Sequence, residues 1–196
     1  MSQNITRPFT LDYVKWNPWI ETVEEIPDAT PEQLAVLEKV APRPTGRAYY
    51  AFLAHDPKPL EERTALMHNT MYSRDGLSRA DREFAAAATS RENGCVHCAS
   101  VHARLYGQLT KDNTLIQRLL DEGVQTPLEQ HERVIVDFAI KLTRDPAGLT
   151  AADLKPLRDA GFDDLQIYDL SNVIGMFTWA NQLFLSTGEN EPLAEA

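Results

Sequence analysis

Cysteine is scarce in this chain: Cys95 and Cys98 are the only two among 196 residues. A framework of several disulfides is therefore excluded. Long apolar runs are missing too. The longest apolar window, "VIGMFTWA" at 173–180, falls well short of the roughly 18 residues a membrane span needs. The start "MSQNITRPFTLDYVKWNPW" has no basic segment leading into an apolar run, so no secretory signal is expected. For a two-cysteine chain this points to the cytoplasm, where a C-x-x-C pair serves catalysis or metal binding more often than structure. No Lys/Arg run is present, and the formal net charge of −10 would on balance repel phosphates, so no nucleic-acid partner is expected. Convincing period-2 alternation is absent, which argues against a sheet protein.

What is present reads as an all-α domain behind an irregular arm. Residues 1–30 hold Pro8, Pro18 and Pro27 with Phe9, Tyr13, Trp16 and Trp19, and no helical period. Such an aromatic arm is costly to leave in water and is expected to pack over the domain or over a neighbouring subunit. The helical domain is read as 31–188, and an acidic flexible tail as 189–196. Thr30, Pro31 and Gln33 form a capping box opening a helix to about 40. Further helices are expected over 46–54, 58–73, 79–92 (capped by Ser78), 95–108, 113–122 (Asp112 as cap, Gly123 as stop) and 163–186. Thr126, Pro127 and Glu129 suggest a second capping box opening a helix to about 144, and Thr150 caps 151–160. "LSRAD" at 77–81 echoes "LTAAD" at 149–153, which fits either duplicated helical hairpins or two good caps.

The stretch "ENGCVHCASVH" at 92–102 carries the chemistry. Asn93-Gly94 is a turn signal that folds two helices into an antiparallel pair. Glu83 lies ten residues before Asn93 and His102 nine after it, so a constant rise per residue puts them level across the hairpin. His102 follows Cys98 by four residues and shares its helix face, and Cys95 lies about one turn earlier. A helix start and a nearby imidazolium both favour thiolate, and two pKa units of lowering need about 2.7 kcal/mol. A carboxylate beside His102 would orient the ring. A thiolate attacking peroxide becomes sulfenic acid, which a second thiol one turn away condenses with to a disulfide. Zinc on Cys95, Cys98 and His102 or His97 is the competing use, as are inert buried cysteines.

Glu83, eleven residues, Cys95-Val96-His97-Cys98, three residues and His102 form E-x11-C-x-x-C-x3-H. This pattern resembles the AhpD-like alkylhydroperoxidase branch of the carboxymuconolactone decarboxylase family, with the wider likeness covering about 45–186. The resemblance implies an AhpD-like all-helical fold, a homo-oligomer (dimer, trimer or hexamer), and a thiol peroxidase for organic or hydrogen peroxide. It implies a disulfide-exchanging reductant, lipoyl-bearing or thioredoxin-like, and no cofactor. Carried onto this chain, Cys98 attacks peroxide and Cys95 is the resolving thiol exposed to the reductant. His102 and Glu83 relay protons, and His97 assists Cys95. The helix-start position of Cys95 by itself would favour that thiol as nucleophile. The decarboxylase branch lacks the cysteine pair, so lactone decarboxylation is not expected. A protein disulfide oxidoreductase or redox sensor using the same pair is the alternative activity, and a zinc-binding structural oligomer the third.

Met176, Phe177, Trp179 and Phe184 could line an apolar pocket, though such a stripe more often serves a core or subunit interface. Asn172 and Asn181 interrupt the same apolar helix and are candidates to face the site. Nothing in the sequence places Tyr49, Tyr50 or His55 there, and charged runs such as "EERT" at 61–64 read as solvated faces.

Overall fold

Capping chemistry sets most element boundaries in the computed structural model, which describes residues 9–44 and 46–191. Pro8 and the tail residues 192–196, part of the arm and tail readings above, lie outside the described residues. The Thr30–Gln33 capping box opens α1 (Pro31–Val40). Then follow α2 (Arg47–Leu53), α3 (Pro57–Tyr72), α4 (Arg79–Asn93) and α5 (Val96–Thr110). The chain continues through α6 (Thr114–Glu122), α7 (Gln130–Arg144), α8 (Lys155–Asp159) and α9 (Asp164–Thr187). Among the described residues, no helix is long and apolar enough to cross a membrane.

Three expectations fail locally. Thr126 caps nothing: its hydroxyl donates to Glu122 and the Pro127 carbonyl accepts from Arg118, so α7 starts only at Gln130. Thr150 does form a capping box with Asp153, but it opens a 3-10 turn at Ala151–Leu154 followed by the five residues of α8. That differs from the fifteen-residue helix capped by Ser78, so the two echoing segments share a cap and not a hairpin. The tail reading also changes near its start. Gly188–Asn190 is a strand, β2, paired antiparallel with β1 (Trp16–Pro18) in the arm.

The centre of the fold is α4, which packs on α5, α7 and α9. Its run Ala85–Ala88 is fully buried, as are Ala99 and Ala103 of α5. Small side chains let the α4 and α5 backbones approach closely. Gly94 adopts φ +80° between them, a left-handed conformation that glycine takes without steric penalty. Ile135, Phe138, Leu170, Ile174 and Phe177 fill the space between α4, α7 and α9. A second cluster, with Leu37, Ala51 and Leu60, joins α1, α2 and α3.

The arm packs over its own domain. Trp16 is 3% exposed, donates its indole N–H to the Phe184 carbonyl at 3.0 Å, and stands edge-on to Tyr49 and Phe184. Burial of roughly 200 Å² of tryptophan surface contributes about 5 kcal/mol, comparable to the entropy of ordering three or four residues. A Cβ on Gly188 would stand 2.3 Å from the Trp16 ring, so the crossing requires glycine. Other ties of the arm include the Asp12 carbonyl accepting from Ser100 at 2.6 Å and Lys15 pairing with Glu191 at 2.5 Å.

Candidate functional site

The α4–α5 hairpin brings Glu83 and His102 together as the residue count from Asn93-Gly94 implies. His102 Nδ1 and Glu83 Oε2 are 2.5 Å apart and both residues are buried. A carboxylate only accepts, so Nδ1 carries the proton and Nε2 is left to exchange one. The other carboxylate oxygen of Glu83 pairs with Arg79, whose guanidinium also donates to the Met71 carbonyl and covers the Tyr72 ring. Half-buried Arg79 and buried Glu83 and His102 thus form a connected row.

Cys98 and His102 lie on one face of α5, one turn apart, and both line a cavity of about 310 Å³. Glu83, His97, Tyr13, Tyr49, Phe177 and Phe184 line it as well, and Cys95 does not. Cys95 holds the N-cap position of α5, packed in one cluster with Cys98 and shut in with Trp16, Tyr49 and Phe184. Both thiols are free, at 1% exposure for Cys95 and 4% for Cys98. The expectation that Cys95 stands open to a reductant is therefore corrected. An arm more than 75 residues away in sequence covers it.

The thiolate expectation for Cys98 is corrected too. Burial pushes its thiol well up from the ordinary value, and Cys95 adds to this by hydrogen bonding and charge. The Asn181 side chain and the Arg63 charge oppose the shift. Desolvation outweighs the helix dipole here because the sulfur is packed among protein groups, with Cys98 buried.

His97 Nδ1 donates to the Val14 carbonyl at 2.6 Å, which ties the arm to the C-x-x-C turn, and its ring stacks on Phe184. Burial pushes its pKa down to about 4, against the Val14 hydrogen bond, which raises it. Unfolded His97 binds a proton near its ordinary 6.5 and the folded residue only near 4, so acidification through that window favours unfolding. Stability should fall by up to about 3 kcal/mol from this residue as pH drops from 7 to 4.5. Urea denaturation at both pH values checks this, with a His97→Gln protein losing less between them. An equal loss in both proteins would contradict it.

Asn181 was flagged by its polarity within an apolar helix, and it is fully buried at the site. It accepts from Asn93 at 3.0 Å, donates to Ser90 at 3.1 Å, and reaches Cys98. Asn172 instead bonds back to the Tyr168 carbonyl. Phe177 and Phe184 line the cavity, whereas Met176 and Trp179 share a shallow outer groove with Leu66. Tyr49 and Tyr50 line the cavity without any sequence signal for it, and His55 is tied to the Glu21 carbonyl elsewhere. Arg63 of "EERT" is half-buried and lines both the cavity and the outer groove. Among the described residues, no cluster of three or more His, Cys, Asp or Glu side chains is arranged to hold a metal ion.

Comparison with known proteins bears on the family and the fold. The family model described as "Carboxymuconolactone decarboxylase family" matches residues 57–109, the span of α3, α4 and nearly all of α5. None of the curated proteins matches the chain. A solved structure of an uncharacterized peroxidase-related protein from Silicibacter sp. TM1040 is 30% identical, with a TM-score of 0.68 over 87% of this chain and 91% of that one. A second, an alkylhydroperoxidase AhpD core described as an uncharacterized peroxidase-related protein from Ralstonia eutropha JMP134, shares the fold. It has 21% identity and a TM-score of 0.70 over 88% of this chain and 90% of that one. With a 30% identical relative matched over nearly all of both chains and the family's own model matched across the hairpin, this chain belongs to the carboxymuconolactone decarboxylase family.

Proposed function

We propose that the protein is a thiol-dependent peroxidase that reduces organic or hydrogen peroxide through Cys98 and Cys95. One observation carries the reading: Cys98 lines the same cavity as the Glu83-bound His102, with Cys95 in contact behind it. In the first step His102 Nε2 takes the Cys98 proton as the sulfur attacks the peroxide. The S–O bond forms as the O–O bond breaks, Cys98 becomes sulfenic acid, and the departing alkoxide takes the proton from His102 and leaves as alcohol. The Cys95 thiol then attacks the Cys98 sulfur, giving a disulfide and water. A dithiol restores both thiols by exchange.

Glu83 acts through His102 by fixing its tautomer, and Arg79 holds Glu83. His97 keeps the turn bearing Cys95 in place through Val14. The cavity-facing sulfur is Cys98, so the electron donor must be slim enough to enter; a lipoyl arm fits this better than the broad face of a thioredoxin-like protein. The same burial weighs against protein disulfides as substrates. Free thiols suit a reducing, cytoplasmic setting. The exposed Leu66 and Trp179, 59% and 43% accessible, offer an apolar face for a homo-oligomer.

Peroxide consumption with dihydrolipoamide as donor tests the reading. The wild type should turn over, and Glu83→Gln should be slower by on the order of a hundredfold. Absence of turnover and of thiol oxidation in the wild type would reject it.

A further inference from the structure

The chain is acidic, with a formal net charge of −10, yet the charged side chains around the cavity are three guanidinium groups and one carboxylate. Arg79 is neutralised by Glu83. Arg104 stands 5.5 Å from the Tyr13 ring centroid, and no carboxylate among the described residues pairs with it. Arg63 sits 5.5 Å from the ring centroids of both Tyr49 and Tyr50.

Arg63 differs from an ordinary surface arginine. Its Nε and Nη1 are buried with no hydrogen-bond partner among the described residues. The Tyr49 hydroxyl is likewise buried and without a partner among them. Burial pushes that hydroxyl up from its usual value, so it stays a donor. Buried unmatched donors are costly, and these three atoms belong to two residues lining one cavity. Two guanidinium donors beside a hydroxyl that can also donate favour an acceptor-rich, anionic ligand.

The rest of the lining is apolar. Met67 and Met71 follow Arg63 at four-residue intervals along α3, so a guanidinium and two thioethers share one helix face. Val101, Leu105 and Phe177 lie among the other lining residues. At about 30 Å³ per small heavy-atom group, taking liquid water as the yardstick, 310 Å³ holds about ten non-hydrogen atoms.

We infer that the cavity binds a medium-length organic carboxylate with its anionic end on Arg63, and that the hydroperoxides preferred at Cys98 carry such a group. The second half of this inference rests on the peroxidase reading; the carboxylate site does not.

Calorimetry with reduced full-length protein separates the two. Octanoate should bind at least about tenfold more tightly than 1-octanol. Arg63→Met should remove that preference, while Arg63→Lys, which keeps a point charge, should retain part of it. Melting curves establish that both variants are folded. Equal affinity for octanoate and octanol in the wild type, or an undiminished preference in folded Arg63→Met, overturns the site. With 8-hydroperoxyoctanoate and its methyl ester, the acid should oxidise the thiols at least about tenfold faster. Equal rates overturn the substrate preference and leave the peroxidase reading standing. Tight octanoate binding with both thiols left reduced by either hydroperoxide upholds the carboxylate site and rejects the peroxidase reading.

Discussion

A Cys98→Ser protein should lose dithiol-dependent peroxide turnover by on the order of a thousandfold or more, because the hydroxyl cannot supply the nucleophile. Cys95→Ser should behave differently. It should consume one equivalent of peroxide and stop at a sulfenic acid on Cys98, trapped by a sulfenic-acid reagent. The asymmetry follows from position: Cys98 lines the cavity and Cys95 lies behind it under Trp16 and Phe184. The opposite pattern, with Cys98→Ser giving the single turnover, would reverse the roles in favour of the helix-start thiol. Rates in single-turnover mode distinguish the two cases, since the reductant does not enter them.

The second large effect is on stability. Arg82 is 0% exposed and its guanidinium joins three segments. It donates to the Thr70 carbonyl at 2.5 Å, the Asp75 carbonyl at 2.7 Å and the Asp169 carboxylate at 2.6 Å. The same Asp169 oxygen accepts from the Leu77 backbone at 3.0 Å. Arg82→Met would take the guanidinium donor from two carbonyls and leave the half-buried Asp169 carboxylate with the Leu77 N–H alone. Breaking one side of a buried pair costs about 3–5 kcal/mol, a large share of a typical domain's stability. For a chain of this size that lowers Tm by roughly 10 °C. Arg82→Lys should recover little, because one ammonium cannot reproduce three directed bonds. A loss below about 1 kcal/mol for Arg82→Met would show that the network is dispensable.

Helix positions were legible because caps and stops are local chemistry. Thr30 with Gln33, Ser78 and Gly94 act where they stand in the sequence. Thr126 failed because its hydroxyl turns back to Glu122 at the end of the preceding helix instead of accepting from an N–H ahead of it. The strand pair was not legible: β1 and β2 are three residues each and lie about 170 residues apart. Only the close approach of Gly188 to Trp16 marks the crossing, and that is a tertiary fact.

The site divides the same way. The meeting of Glu83 and His102 could be counted from the turn, because helical rise is constant. The burial of Cys95 could not, since Trp16 arrives from the arm. Nor could the state of the Cys98 thiol, because desolvation depends on everything packed around it. Arg63 was hidden in a run of charge whose other members face water, and only the position of α3 turns it toward the cavity.

The central claim is that the two thiols respond to peroxide as a pair. Trypsin would release residues 92–104, between Arg91 and Arg104, with both cysteines on one peptide. Reduced protein given one equivalent of peroxide at neutral pH should lose both free thiols together, and that peptide should become lighter by two hydrogens. Retention of both thiols with the peroxide unconsumed would contradict the claim.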